Sequence, residues 1–442
     1  MRTSSTLKPE RELLELREED MSKLTTYTAA IALCMGLATP AFAQTTLTYM
    51  AIGPERTAFN EEIIRRFEEE HPDINVEFRW LANEPYKTGI KVVMESDSPP
   101  DVFFIWAGTW AQDFVDAGAV ADLSESEANG DLWTVGMPKA LVDQFRDENG
   151  LWGVPSELYV KEFWRNDAFF AEHDLTMPET FEGLLNMCSE VREIDPQMTP
   201  IAFGASESWT INHYLTTLFQ RHVAPDVSAR DYRLQGNPEE LFTDPGYLKA
   251  LQDFKRLQEA DCFNDGINSV SPEVSRAMFG SGLAATTYCG SWCPPQFDAA
   301  GMNGGYTPFR FPAIEGASGV QQGSMAGASG YQVSNASEYP EAAMTFLNYI
   351  ANAESQVLMT ELTGLLPANG TQVPEGGLSE ANSALLDIVA EDEATVAALN
   401  TVVETSVSDV ILKSGQDLVA GTVTPDEFME RVREAAQTAA AR

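Results

Sequence analysis

Between residues 47 and 118 the chain alternates short apolar strands with amphipathic helices three times over, and that order leaves few folds open. Leu47 to Ile52 reads as a short apolar strand. Thr57 is placed to cap a helix whose Phe59, Ile63, Ile64 and Phe67 share one face. Pro72 ends that helix, and Ile74, Val76, Phe78 and Trp80 alternate as the next strand. Tyr86 to Glu95 follows as a second helix. Asp101 to Trp106 is a continuous apolar strand, as in a parallel sheet covered on both faces. Thr109 is placed to cap a third helix that ends at Gly118. Strands and helices in this alternation predict an open α/β sheet.

The later chain leaves this unit and comes back. Leu151 to Pro155, followed by Tyr159 to Trp164, reads as a strand crossing out of it. Phe181 to Val191 and Tyr247 to Ala260 are predicted helices of a second unit, with a strand at Ser281 to Tyr288. Tyr306 to Phe311 is extended and leads into Gly316 to Gly330, a stretch rich in Gly, Ser and Ala. That stretch reads as a surface loop, with backbone lining a ligand cleft as the alternative. Tyr331 to Ser334 is a strand, Pro340 opens a helix to Ile350, Leu365 to Ala368 is a further crossing, and helical segments run from Ser379 to the end. Two units joined by several connections hinge and close on one another, whereas a single linker lets them tumble independently.

Charge narrows the partners. The chain of 442 residues carries 28 Lys+Arg against 67 Asp+Glu, a net charge of −39, with 44% hydrophobic residues. That is material for a packed core, and it offers no basic face for nucleic acid. At the N-terminus, Met21 onward gives Lys23, an apolar centre near Ala29 to Ala38, and Ala41-Phe42-Ala43, the pattern of a secretory signal. Cleavage is expected after Ala43, with Cys34 as a lipoprotein anchor the rival and residues 1–20 an extension ahead of the signal. A periplasmic location follows. The signal takes Cys34 with it, leaving Cys188, Cys262, Cys289 and Cys293, which in an oxidising compartment suggest disulfides. Of the three connectivities, Cys289–Cys293 with Cys188–Cys262 is preferred. No histidine stands near the Cys-x-x-x-Cys pair, so no metal site is expected.

The order of several short segments resembles a known family. These include Phe67-Glu-Glu-Glu-His-Pro-Asp-Ile-Asn-Val76, Pro99-Pro-Asp-Val-Phe103, Ala117-Gly-Ala-Val-Ala-Asp-Leu123 and Gly150-Leu-Trp-Gly-Val-Pro155. Further on stand Phe163 to Phe170, Pro178-Glu-Thr-Phe181, Met278 to Ala284, Ala342 to Leu347 and Thr363-Gly-Leu-Leu-Pro367. In this order they resemble the extracellular solute-binding proteins of ABC importers, in the sugar-binding group that includes maltose-binding protein. The resemblance implies an α/β fold of two lobes closing like a Venus flytrap, with several interlobe crossovers and a C-terminal helical part. It implies a first lobe of 44–154 and 306–364 and a second of 155–305 and 365–442. It further implies a monomer that carries a carbohydrate to a membrane permease, with no cofactor and no catalysis.

Independently of family, ligands of open α/β sheets bind at the carboxyl ends of strands. Those ends here carry Glu55, Arg56, Trp106, Thr109, Glu207, Trp209 and Trp292, with Glu157 and Tyr159 on the crossing strand and Ser329 and Tyr331 near the later one. Flat aromatics beside carboxylates, hydroxyls and a guanidinium suit the apolar faces and hydroxyl rims of pyranose rings. Trp80, Trp133 and Trp152 are assigned to the core. Arg56 suits an anionic sugar and equally a pair with Glu55. Glycerol phosphate and a polyamine are alternative ligands, and a secreted glycan-degrading enzyme is the alternative class. The sequence holds no Gly-x-Ser-x-Gly elbow, no nucleotide-binding Gly-rich Lys loop and no His-Glu-x-x-His.

Overall fold

The expected alternation is present. β1 (Thr45–Ile52), α1 (Thr57–Glu70), β2 (Ile74–Leu81), α2 (Asn83–Met94), β3 (Val102–Trp106) and α3 (Thr109–Asp116) follow in turn. The computed structural model describes residues 44–130, 134, 137–369, 373–374 and 376–442. The expected signal, the stretch before it and Trp133 lie outside the described residues. Phe59, Ile63, Ile64 and Phe67 are buried on α1, as their spacing requires. The two threonine caps are displaced by one residue. Arg56 and Gly108 hold the N-cap positions, and Thr57 and Thr109 are the first helical residues. At Gly108 the reason is backbone conformation, since its φ of 87° favours glycine over any capping side chain.

Beyond residue 150 come β4 (Val154–Asn166), α4 (Phe181–Ile194), β5 (Thr199–Ala202), α5 (Ser208–His222), α6 (Pro245–Glu259), α7 (Pro272–Gly280), β6 (Ala284–Gly290) and β7 (Tyr306–Phe309). β8 (Met325–Val333), α8 (Pro340–Ala351), α9 (Ala353–Thr363), β9 (Leu366–Pro367), α10 (Thr405–Val419) and α11 (Pro425–Ala440) complete the main elements, with shorter helices between them. One sheet runs β2-β1-β3-β8-β4-β6-β5, with β7 and β9 also on β4. β1–β3 and β5–β6 are parallel pairs, while the pairs that β4 and β8 make are antiparallel. Among the described residues no helix is long and apolar enough to cross a membrane.

Two large hydrophobic clusters flank this sheet. The first gathers β1, β3, α1 and α8 around Phe59, Phe103, Tyr331 and Phe346. The second gathers α4, α5, α6, α10 and α11 around Phe163, Leu215, Tyr247, Leu418 and Phe428. β4 belongs to both, with Val154 in the first and Phe163 in the second. β7, where the return to the first part was expected to begin, pairs with Phe163–Asn166 of β4, and its Phe309 joins the second core. The next strand, β8, puts Ala328, Tyr331 and Val333 in the first core.

β8 also corrects the last part of the loop expected over 316–330, of which 316–324 holds only turns and bends. Its nine residues, Met-Ala-Gly-Ala-Ser-Gly-Tyr-Gln-Val, are all buried in the middle of the sheet. Small residues are needed because β4 fills the space above them. A Cβ on Gly327 would stand 2.3 Å from the Tyr159 hydroxyl. The absence of bulky side chains, which reads as a loop signal, is here the imprint of a neighbour. Trp80, assigned to the core, is 44% exposed, because the outer half of β2 lies at the sheet edge. Trp152 packs against the first core. Both expected disulfides are present, Cys188–Cys262 and Cys289–Cys293.

A buried carboxyl ties the segment after β7 to β4. Glu162 accepts a hydrogen bond from the Phe311 N–H at 2.6 Å, and burial pushes its pKa up to about 7 despite that bond and the nearby Arg221 and Arg310. The folded state therefore keeps a proton that the unfolded chain releases near pH 4.5, and this contribution fades as pH rises towards 7. Glu162→Gln should gain on the wild type by on the order of 3 kcal/mol between pH 4.5 and 8. Urea unfolding at both pH values checks this, and a constant difference contradicts it.

Candidate functional site

Strand register creates the site. Trp106, the last residue of β3, is paired with Ser329, and Ser329 is paired with Glu157 of β4. From the other side Gly290, the last residue of β6, is paired with Lys161 of β4. The carboxyl ends of strands from the two cores thus meet β4 four residues apart. A β-bulge between Pro155 and Glu157 shifts the register just before this point, a device that re-aims side chains. From there Glu157, Tyr159 and Lys161 follow at the two-residue period that sends side chains to one face.

A cavity opens on that face. Among its lining residues are Glu55, Arg56, Trp106, Glu157, Tyr159, Glu207, Trp209, Trp292 and Ser329, all residues that the sequence places at or near strand ends. Thr109 and Tyr331 are not part of the lining. Thr109 begins α3 with its hydroxyl buried and unbonded. Tyr331 points into the first core, 5.9 Å from the ring of Tyr49 and 6.2 Å from that of Phe104.

The lining is rich in aromatic faces and fixed charges. Trp209, on the first turn of α5, meets Trp292 edge-on at 6.3 Å. Trp292 is held by a turn that the Cys289–Cys293 bridge spans. Its indole folds back so closely that a Cβ on Gly290 would stand 2.1 Å from it. The Lys87 ammonium lies 5.7 Å from the Trp106 ring centre and 6.0 Å from that of Trp209, linking α2 to α5 through cation–π attraction.

Arg56 does not pair with Glu55. It forms a forked ion pair with Glu157, with Nη2 donating at 2.7 and 2.6 Å and Nε at 3.0 Å. Ser329 adds a donor to the same carboxylate at 3.2 Å. Burial would lower the pKa of Arg56, but the Glu157 carboxylate outweighs it and holds the guanidinium charged. Glu55 lies instead 4.0 Å from Arg276. Glu207 accepts from the Trp209 indole N–H at 2.5 Å, and burial, with Glu273 and Glu84 nearby, pushes its carboxyl up. Burial also pushes the Tyr159 phenol up. Flat apolar faces beside paired charges suit a small guest with an apolar face and a polar rim.

Sequence reasoning missed Asn83, Lys87, His213, Glu273, Arg276, Asn400 and Thr401, which also line the cavity. Arg276 and Glu273 sit on α7, away from any strand end, and Asn400 and Thr401 arrive from the C-terminal part, so local pattern carries no trace of them. Lys87 and His213 lie on helices that begin at the expected strand ends, and helical spacing from those ends would have reached them.

With this geometry established, relatives become informative. Residues 52–357 match the family model of the bacterial extracellular solute-binding proteins, and the chain belongs to that family. An uncharacterized ABC transporter extracellular-binding protein of Pyrococcus horikoshii is 26% identical over 263 residues, 58% of this chain and 59% of that protein. The multiple sugar-binding protein of Streptococcus mutans is 24% identical over 323 residues, 72% of this chain and 74% of its own length. The chain thus spans less than two thirds of the first relative. A solved chitin oligosaccharide binding protein superposes with a TM-score of 0.79 at 20% identity, over 90% of this chain and 99% of that one. The fold is the mixed α/β, two-lobe architecture of periplasmic binding proteins.

The Arg56–Glu157 pair is buried, with Glu157 1% exposed, so removing one partner strands the other charge. Arg56→Met should cost about 3–5 kcal/mol, and the double change with Glu157→Leu should cost less. Denaturant titration of the three proteins checks this ordering.

Proposed function

We propose that the protein is the carbohydrate-capturing subunit of an ABC importer, holding a mono- or oligosaccharide between two lobes and passing it unaltered to a membrane permease. The observation that carries this reading is one cavity, at the meeting point of the two cores, lined by three indoles, a phenol and paired charges. Indole faces cover the C–H faces of sugar rings, and the charged groups meet hydroxyls whose lost hydrogen bonds to water must be replaced. Family membership and sugar-binding relatives support the same reading.

In this account the first lobe comprises 44–154 with the return at β8 to about residue 364, and the second comprises the intervening chain and 365–442. The crossings on β4, β8 and β9 form the hinge. Ligand favours closure only through tighter binding to the closed state. The protein acts as a monomer in the periplasm, after signal cleavage following Ala43.

A thermal-shift screen of mono- and oligosaccharides tests the proposal, since a ligand present at 100 times its Kd stabilises the fold by about 2.7 kcal/mol. At least one saccharide should raise Tm by several degrees. Trp209→Ala or Trp292→Ala should remove that shift while the unliganded fold survives. No shift with any saccharide, or release of reducing ends from an oligosaccharide, contradicts the proposal.

A further inference from the structure

On one side of the cavity three basic side chains crowd together with no carboxylate at hydrogen-bonding distance among the described residues. Lys161 follows Glu157 and Tyr159 on the same face of β4 and is 2% exposed. Its Nζ lies 3.0 Å from Nδ1 of His213, and among the described residues no carboxylate forms an ion pair with it. Its other neighbours are the rings of Tyr288, at 4.7 Å, and Trp209, at 5.6 Å. His213 lines the cavity with its ring 5.0 Å from Trp209.

Arg276 approaches the same indole, 5.8 Å from its centre. It is buried and donates to Gln296 at 2.9 Å. Glu273 and Glu55 stand 3.9 and 4.0 Å from it, beyond hydrogen-bonding reach, with side chains 63% and 28% exposed. The other cavity carboxylates are engaged, Glu157 by Arg56 and Ser329 and Glu207 by the Trp209 N–H. Lys87 is bonded to Glu84.

A buried cation without a fitted anion is costly, and proteins relieve the cost by pairing or by losing the charge. Burial pushes Lys161, His213 and Arg276 down, each away from its charged form, and mutual repulsion adds to this at Lys161 and His213. A guest bringing one negative charge would relieve all three. The net charge of −39 does not oppose this at the site, because charges on the outer surface are screened over about 8 Å at physiological salt.

We propose that the ligand is an acidic sugar, whose carboxylate docks on Arg276 and His213 beside Trp209, with Lys161 behind His213 as a positioning residue. This rests on the carbohydrate reading above. The pyranose ring lies against the indoles, and the carboxylate supplies a hydrogen-bonded ion pair that Glu55 and Glu273, at 4.0 and 3.9 Å from Arg276, do not make.

Isothermal titration with D-galacturonate, D-glucuronate and their short oligomers, each beside its methyl ester, compares guests that differ in charge. The acid should bind about tenfold or more tightly than its ester. Arg276→Gln should bring the two within about twofold of each other. Lys161→Met should weaken the acid more than its ester and so shrink the preference, whereas equal weakening of both overturns the role given to Lys161. If esters or neutral sugars bind as tightly as the acids, the acidic-sugar proposal fails and the carbohydrate reading stands. If no saccharide of either kind binds, both fail.

Discussion

Everything about this molecule depends on one strand having two sets of partners. The first part of β4 pairs with β8 and β9, and its last part with β6 and β7. Backbone hydrogen bonds set that register, and the register brings the ends of β3 and β6 to within four residues of each other. The cavity lies where they meet because each strand stops there, leaving helix starts and turns to supply side chains. Trp106, Trp209 and Trp292 come from three such places. No single segment of the chain holds a site, and β4 assembles one.

Electrostatics then divides the cavity. On one side Arg56 and Glu157 close on one another, with Arg56 also 4.8 Å over the ring of Phe104. That pair is a fixed wall, charged but satisfied. On the other side Lys161, His213 and Arg276 crowd around Trp209 with their charge uncompensated at bonding distance. The first side supplies rigidity, since moving either partner exposes a buried charge. The second supplies selectivity, since its energy depends on what enters. Contacts between elements of the two cores frame this arrangement. Thr405 on α10 donates to Asp113 on α3 at 3.0 Å, and Lys87 on α2 stacks over Trp209 on α5.

Sequence pattern read some parts well and others badly, for definite reasons. The α1 face and the alternation of early strands were legible because each element buries its own bulky residues. The segment Gly327 to Gly330 was not, because what fits there is dictated by Tyr159 and Val154 across the ladder. The strand-end rule led to the indoles and Ser329, since the main chain delivers them directly, and Glu157 came from the crossing strand. Tyr331 failed the same rule because, two residues beyond Ser329 on β8, it is already covered by Tyr49 and Phe104 of the first core. Arg276 and Thr401 had no local signature, as tertiary packing alone brings α7 and the C-terminal segment to the cavity. The sequence left Arg56 open between an anionic sugar and its neighbour Glu55, yet a partner 101 residues away offered a buried, forked geometry.

The proposed function requires the two lobes to close on the guest. Small-angle scattering with and without a saturating saccharide measures that closure most directly. The radius of gyration should be smaller in the bound state. A saccharide that binds tightly and leaves the scattering curve unchanged would contradict the account.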